Sequence, residues 1–454
     1  MIKNSHLILK TGFRIAKRVA FLSLPKLKDL IMLQVQVLRN NTDWAKERLA
    51  VKHFKQIALV DEIIALDDER KKLQLEFDTV QSKINAASKE IGKLMATGQQ
   101  DAAAIAKQEV ATNKQLAAEF ASALTETEKS LQQKLIALPN LPAAEVPIGK
   151  TPEENVVVKQ SADIAPLYAG AVEHWHLLDK YNLVNFELGN KITGSGFPVY
   201  IGKGARLQRA LVQCFLDYNT AAGYVEYLPP FMVNEASAYG TGQLPDKEGQ
   251  MYHATEDNLY LIPTAEVPVT NVYRDTLLKE EELPIKMTAY SPCFRREAGS
   301  YGKDVRGLNR VHQFEKVEII QIVHPTNSYQ VLNEMVAHVE GLLQLLQLPY
   351  RILRLCGGDM GFASAITYDF EVYSAAQKRW LEVSSVSNFE SFQTNRMKCR
   401  YKDATGKTQL AHSLNGSSLA LPRIVACLLE NNQTAEGIVL PEILHRYFGA
   451  SIIN

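Results

Sequence analysis

The sequence predicts an α+β protein in two parts: a long antiparallel helical hairpin near the N-terminus, then a larger domain of mixed strands and helices. Three observations predict it. From Ile63 onward, apolar or small residues recur three and four apart over several turns. A second helical run follows a polar turn and stops at Pro139-Asn140-Leu141-Pro142. Beyond Pro147 the texture changes to short β-like runs, such as Tyr260-Leu261-Ile262 and Val317 to Val323, interleaved with Gly, Pro and aromatic residues.

Residues 1–31 carry Lys3, Lys10, Arg14, Lys17, Arg18, Lys26 and Lys28 before the first acid, Asp29. That is the composition of a transit peptide and would send the protein to an organellar matrix. The stretch from Val19 to Ile31 lacks the Ser richness of such a peptide, so the alternative is a misassigned start, with a true start at Met32 and a cytoplasmic protein.

The first helix of the hairpin is marked by Ile63, Leu66, Leu73, Phe77, Val80, Ile84, Ala87, Ile91 and Leu94, with Arg70 alone breaking the seam. After Thr97-Gly98-Gln99-Gln100-Asp101 the second carries Leu116, Phe120, Leu124, Leu131 and Leu138. Two long helices joined by a short turn fold back on each other. Runs of about 35 residues make a rod on the order of 50 Å, longer than a compact domain needs to close its own core. Such a rod either reaches for a partner or dimerises as a coiled coil.

The chain has 454 residues, 46% of them hydrophobic, enough for two or three domains. Lys plus Arg and Asp plus Glu both number 50, so net charge neither supports nor excludes a polyanionic partner. The five cysteines stand far apart without a C-x-x-C pair or a histidine at zinc spacing, which reads as reduced core thiols and indicates neither a disulfide framework nor a structural metal. No stretch reaches the roughly 18 apolar residues of a membrane span. Strands cluster between about 195 and 400 without βαβ alternation, and no G-x-x-x-x-G-K-[ST] occurs, which argues against a P-loop or Rossmann nucleotide site.

The segment from Cys293-Phe294-Arg295-Arg296-Glu297 through Gly307, followed by Val311-His312-Gln313-Phe314-Glu315-Lys316-Val317-Glu318-Ile319, reads as two strands flanking a glycine-rich polar loop. In period-2 geometry Arg295 and Glu297 share one face, and His312, Phe314, Lys316 and Glu318 share one face of the return strand. An arginine suits bidentate phosphate contact, a phenylalanine offers a flat surface to a purine, and Glu318 is a carboxylate in apolar company. A solvated hairpin with incidental ion pairs would account for most isolated strings of this kind. Near the C-terminus, His412-Ser413-Leu414-Asn415-Gly416-Ser417-Ser418-Leu419-Ala420-Leu421-Pro422-Arg423 reads as a strand entering a helix with the apolar stripe Leu421, Ile424, Val425, Leu428 and Leu429.

These two segments resemble motifs 2 and 3 of the class II aminoacyl-tRNA synthetases, and 202–223 followed by Tyr227-Leu228-Pro229-Pro230 resembles their motif 1. Pro263-Thr264-Ala265-Glu266, lying between motifs 1 and 2, resembles the T-x-E loop of the seryl enzymes; alone it would be an ordinary strand-to-helix cap. The likeness runs from Met32 to Leu440, and the two-helix arm is itself a mark of the seryl enzymes. Departures are small: Arg296 stands where the family varies, Ser418 to Pro422 is one of several versions of the motif 3 helix start, and the leader has no counterpart.

The resemblance implies a catalytic domain over 143–454 built on a mostly antiparallel sheet flanked by helices, and a tRNA-binding domain over 32–142 whose arm grips tRNA(Ser). It implies ATP and L-serine as substrates, Mg²⁺ as cofactor and a homodimer through motif 1, and it leaves use of tRNA(Sec) open. By the same resemblance Arg295, Glu382 and Arg423 are catalytic. Thr264, Ala265, Glu266, Arg295, Glu318, Asn415 and Ser417 would bind serine. Arg295, Arg296, Glu297, Phe314, Glu382, Val383, Ser384, Ser385 and Arg423 would bind ATP, with Glu382 and Ser385 as magnesium ligands. Two rival readings keep the fold: a paralogue that loads another carrier, and a non-catalytic RNA-binding relative. The intact rod argues against the first and the joint presence of phosphate and magnesium contacts against the second.

Overall fold

The structure, a computed structural model, describes residues 34–161, 164–246, 249–298 and 306–454. The basic leader, the alternative start at Met32 and the loop 299–305 lie outside the described residues. Two short helices, α1 (Val35–Asn40) and α2 (Thr42–Val51), lead into α3 (Leu59–Ala96) and α4 (Gln100–Ala137). The long pair has 38 residues each, so each helix is about 57 Å long. Their turn is tighter than expected, Thr97 to Gln99. Gly98 takes φ +74°, its N–H bonds Met95 O, and the Gln99 N–H bonds Leu94 O, which together close the last turn of α3 as a Schellman motif.

The α3 seam packs through Phe77, Val80, Ile84, Ala87 and Ile91. On α4 the buried positions fall every seventh residue, at Ala103, Val110, Ala117, Leu124 and Leu131. Leu116, expected in this seam, lies one residue outside it and is 37% exposed. Alanines at the contact let the two backbones approach, so the helices meet on small residues rather than on every large one. At the base of the arm, Leu38, Leu49, Val60 and Ile63 pack against Leu131, Leu135 and Leu138, and Phe392 of the second domain completes the cluster.

Among the described residues the largest sheet has eight strands: β1 (Val156–Gln160), β2 (Val225–Tyr227), β3 (Ile285–Phe294), β4 (Gln313–Val323), β5 (Tyr350–Arg354), β6 (Ile366–Ser374), β7 (Arg379–Glu390) and β8 (His412–Ala420). Their order is β1-β5-β6-β7-β8-β4-β3-β2. Neighbours are antiparallel except β2 and β3, which run parallel. The strands β1 and β8 extend the sheet beyond the 195–400 window expected from the sequence.

Helices α5 (Lys203–Ala221), α6 (Ser328–Leu345) and α7 (Leu421–Asn431) bury one face of the sheet, where Phe215, Met335 and Leu428 meet Val317, Ile319, Val386 and Leu414. Successive residues of a strand point to opposite faces, so Glu318, between Val317 and Ile319, points the other way. On that second face Ile320 and Ile322 pack on Ala265, Val269, Met287 and Ala289, while Phe314, Lys316 and Glu318 line a cavity. All five cysteines are free and buried, as expected. No helix among the described residues is long and apolar enough to cross a membrane.

Candidate active site

The cavity has a volume of about 700 Å³ and opens on the uncovered face of the sheet. Its deep end is polar and buried. Glu318 is 1% exposed, and its Oε1 accepts from the Thr264 hydroxyl at 2.8 Å and the Ser417 hydroxyl at 3.3 Å. The ammonium of Lys316 pairs with the same oxygen. Oε2 of Glu318 is buried without a partner, so this carboxylate keeps one acceptor for something that enters the cavity. Strand pairing produces the convergence: Ser417 stands opposite Glu318 across β4 and β8, and Thr264 arrives from the turn before the short helix Glu266–Asn271. The Thr264 oxygen also accepts the N–H of Glu266 at 3.2 Å, so the expected cap exists and the same hydroxyl serves the cavity.

Glu266 is the second deep carboxylate. Burial first, and then the neighbouring charge of Glu318, push its pKa up to about 7, against the pull of the Gln393 amide, Lys316 and Asn415. The Gln393 amide donates to it at 2.6 Å and is itself fixed by Ser413, whose hydroxyl donates to Gln393 Oε1 at 2.7 Å.

The open end carries two arginines. The Arg295 guanidinium lies 5.3 Å from the centroid of the Phe314 ring. Arg423, in the first turn of α7, donates from Nε to Asn309 O at 3.1 Å and from Nη1 to Glu382 O at 2.7 Å, with the Glu382 carboxylate 3.6 Å away. Across β6 and β7, Asp369 stands opposite Ser385. Burial and then the charge of Glu382 hold the Asp369 carboxyl well above the usual carboxylate range.

One cavity thus gathers Thr264, Glu266, Arg295, Glu297, Phe314, Glu318, Glu382, Val383, Ser384, Ser385, Asn415, Ser417 and Arg423. Two expected residues are not on its wall. Ala265 is wholly buried in the cluster with Val269, and Arg296 is absent from the lining although its N–H donates to Gln250 O at 2.9 Å. The strand alternation expected around motif 2 also ends early: β3 stops at Phe294, and Glu297 takes φ +50° to pair with Arg310 at 2.5 Å. His312 precedes β4 rather than sharing its face; its ring stacks on Phe197 at 5.4 Å and its Nδ1 meets Arg295 O at 3.0 Å.

The sequence reading assigned no role to Gln393, Asp369 or Asn309. Asp369 was findable, as a carboxylate two residues from Glu371 in a strand opposite the expected ligands. Gln393 carries no local mark and reaches Glu266 only through the tertiary fold.

Comparison with known proteins agrees with this architecture. The family model of the seryl-tRNA synthetase N-terminal domain matches residues 32–142, and that of the tRNA synthetase class II core domain (G, H, P, S and T) matches residues 250–432. The serine–tRNA ligase of Salinibacter ruber is 47% identical over 93% of this chain and 99% of its own. The seryl-tRNA synthetase of Pyrococcus horikoshii, solved with ATP, superposes with a TM-score of 0.86 at 30% identity, over 93% of this chain and 99% of that one. The cytoplasmic serine–tRNA ligase of Naegleria fowleri, solved with AMP, does so at 0.83 and 26% identity, covering 94% of this chain and 99% of that one. With the hairpin arm, the antiparallel sheet and the cavity on its open face, these likenesses show that the chain belongs to the seryl-tRNA synthetase family of class II aminoacyl-tRNA synthetases.

Proposed function

We infer that the protein is a serine–tRNA ligase, an enzyme that activates L-serine with ATP and transfers the seryl group to the 3′ end of tRNA(Ser). The observation that carries the reading is the single cavity that joins buried carboxylates and hydroxyls at one end to two arginines and an aromatic ring at the other. In the first step the serine carboxylate attacks the α-phosphorus and pyrophosphate leaves. In the second a hydroxyl of the terminal ribose attacks the seryl carbonyl, gives up its proton, and AMP leaves. Neither step needs a side-chain nucleophile, so catalysis rests on alignment and charge compensation.

Arg295 holds the α-phosphate while Phe314 stacks on the adenine, and Arg423 takes the terminal phosphates. The polar end receives the amino acid, its ammonium against Glu266 and its hydroxyl near Glu318, whose free Oε2 is an acceptor awaiting a donor. Serine's hydroxyl is such a donor and alanine has none. A site built to hydrogen-bond its substrate rejects the analogue lacking that group by about 10⁴-fold or more.

Magnesium fits the open end. The Glu382 carboxylate and Ser385 hydroxyl are hard oxygen donors, and Asp369, opposite Ser385, has a buried Oδ1 without a partner. Two protein donors suit Mg²⁺, which keeps waters and leans on phosphates. Bound there, it would offset charge on the nucleotide phosphates. For the homodimer, α5 lines a second cavity of about 560 Å³ close to Val225 and Leu228, which are 61% and 77% exposed. A second copy over α5 would cover these apolar side chains.

The test is ATP–pyrophosphate exchange across the twenty amino acids without tRNA. Exchange with serine alone is expected; exchange with a different amino acid overturns the serine pocket, and none at all overturns the ligase reading.

A further inference from the structure

We propose that His174 and Glu430, buried outside the cavity, are a positioning pair for ATP: they hold the chain at Leu308 and Asn309 and, through Asn309, the guanidinium of Arg423. The proposal rests on reading the cavity as a nucleotide site. Both side chains are fully buried, at 0% exposure. His174 opens the short helix His174–Lys180, and Glu430 lies on α7 seven residues after Arg423, two turns along the same face.

Glu430 Oε1 accepts from the His174 backbone N–H at 3.0 Å and from its Nδ1 at 2.7 Å. With the proton on Nδ1, Nε2 is an acceptor, and it takes the backbone N–H of Leu308 at 2.9 Å. The ring is thus a strut between a carboxylate and a single peptide group. A second branch runs through Gln377, whose Nε2 donates to Glu430 Oε1 at 2.8 Å and whose Oε1 accepts from Asn309 Nδ2 at 3.0 Å. Asn309 O in turn accepts from Arg423 Nε at 3.1 Å. Leu308, Asn309 and Arg423 all line the cavity, whereas His174 and Glu430 do not.

The close approach is specific. Gly307 takes φ +58°, and a Cβ there would lie 2.3 Å from His174 Nε2, so the chain passes the ring where only glycine fits. A buried ionisable pair is costly and often no more stabilising than apolar residues of the same volume. Placing one here fixes the chain entering β4 against the helix that carries Arg423.

The experiment separates the two ring nitrogens. His174→Gln can keep the acceptor for Leu308, while His174→Asn keeps only a donor for Glu430. Michaelis constants for ATP and serine are measured by exchange, the dissociation constant of ATP with Mg²⁺ by equilibrium dialysis, and folding by thermal melting. We expect H174N to weaken ATP binding about tenfold with the serine KM changed less than twofold, and H174Q to stay within about threefold of the parent.

Unchanged ATP binding in folded H174N overturns the proposal. So does a joint loss of ATP and serine affinity in step with a lower Tm, which a merely structural role would give. If H174N fails to fold, Gln377→Met, which cuts the second branch and leaves His174 in place, carries the same expectation, and unchanged ATP binding there overturns it. A parent protein that binds ATP without serine exchange overturns the ligase reading and leaves the dialysis comparison decisive; one that binds no ATP overturns both.

Discussion

Glu318 is the residue on which the proposed serine recognition turns. It sits 1% exposed with Thr264, Ser417 and Lys316 converging on one oxygen and the other oxygen unpartnered. Glu318→Ala is expected to abolish serine-dependent exchange, and, by leaving Lys316 buried and unpaired, to cost about 3–5 kcal/mol of stability. The double change Glu318→Ala with Lys316→Met removes both charges. It should recover most of the stability in urea unfolding and none of the exchange, which separates the chemical role from the structural one.

Glu266 gives a pH signature. Its folded pKa of about 7 lies above the 4.5 of an ordinary glutamate, so the folded protein holds the extra proton between those values. Its stabilising contribution is therefore complete below pH 4.5 and lost as pH rises through 7. Glu266→Gln should raise unfolding free energy at pH 8 by at most about 3 kcal/mol and leave it unchanged at pH 4. The proposed contact with serine's ammonium needs the carboxylate ionised, so the serine KM should climb about tenfold per pH unit below 7. A flat KM from pH 8 to pH 5.5 would remove Glu266 from the ammonium contact.

Most of this pocket was legible through the resemblance of whole motifs, whereas strand alternation placed Phe314, Lys316 and Glu318 on one face and failed for Glu297 and His312, which lie outside the strands. Gln393 was not legible, since its contact spans 127 residues of chain and leaves no local pattern.

At the scale of elements, the hairpin was visible as a heptad pattern and its end as a proline boundary. On α4 Phe120, Leu124, Leu131 and Leu138 pack as expected, but apolar bulk pointed to Leu116 while the interface uses Ala103, Val110 and Ala117. Small residues carry little hydrophobic signal, though they set how near two helices come. The outermost strand β1 escaped notice for a different reason: Val156 to Gln160 are all exposed, so no alternation marks them. Because the base of the arm has its own core, the distal part is separable. Replacing residues 75–122 by a short Gly-Ser turn should leave serine-dependent exchange within about twofold, because only contacts beyond the catalytic domain are lost. Charging of tRNA(Ser) should fall by about 10² or more if the arm grips the nucleic acid. Equal loss in both assays would show that the rod supports the catalytic domain instead.

At the scale of the molecule, two joints matter. One is the α5 surface, where Val225 at 61% and Leu228 at 77% exposure lie close in sequence to Glu226, which with Gln208 lines the second cavity. Leu228→Asp is expected to turn a dimer into a monomer in light scattering; a monomeric parent protein removes the need for it. The other joins the arm-bearing domain to the catalytic wall. The Lys52 ammonium, at the end of α2, donates to Asn140 O at 3.2 Å, Phe362 O at 3.1 Å and Ser364 O at 2.9 Å. Asn140 adds donors to Ala363 O and Phe389 O, each at 2.9 Å. Phe362, Ala363 and Ser364 line the cavity, so the domain that carries the arm is bonded to the wall of the substrate site. Lys52→Met keeps the bulk of the stem, takes the ammonium donor from Asn140 O and Ser364 O and leaves Phe362 O with the Asn140 N–H alone, at a cost of about 2–3 kcal/mol. That loss falls on the joint rather than on either core, since the arm-base and catalytic clusters hold no part of the Lys52 ammonium. Urea unfolding followed by tryptophan fluorescence and by exchange activity should then separate into two transitions, with activity lost first, whereas the parent unfolds in one; coincident transitions in the variant would show that Lys52 does not couple the domains.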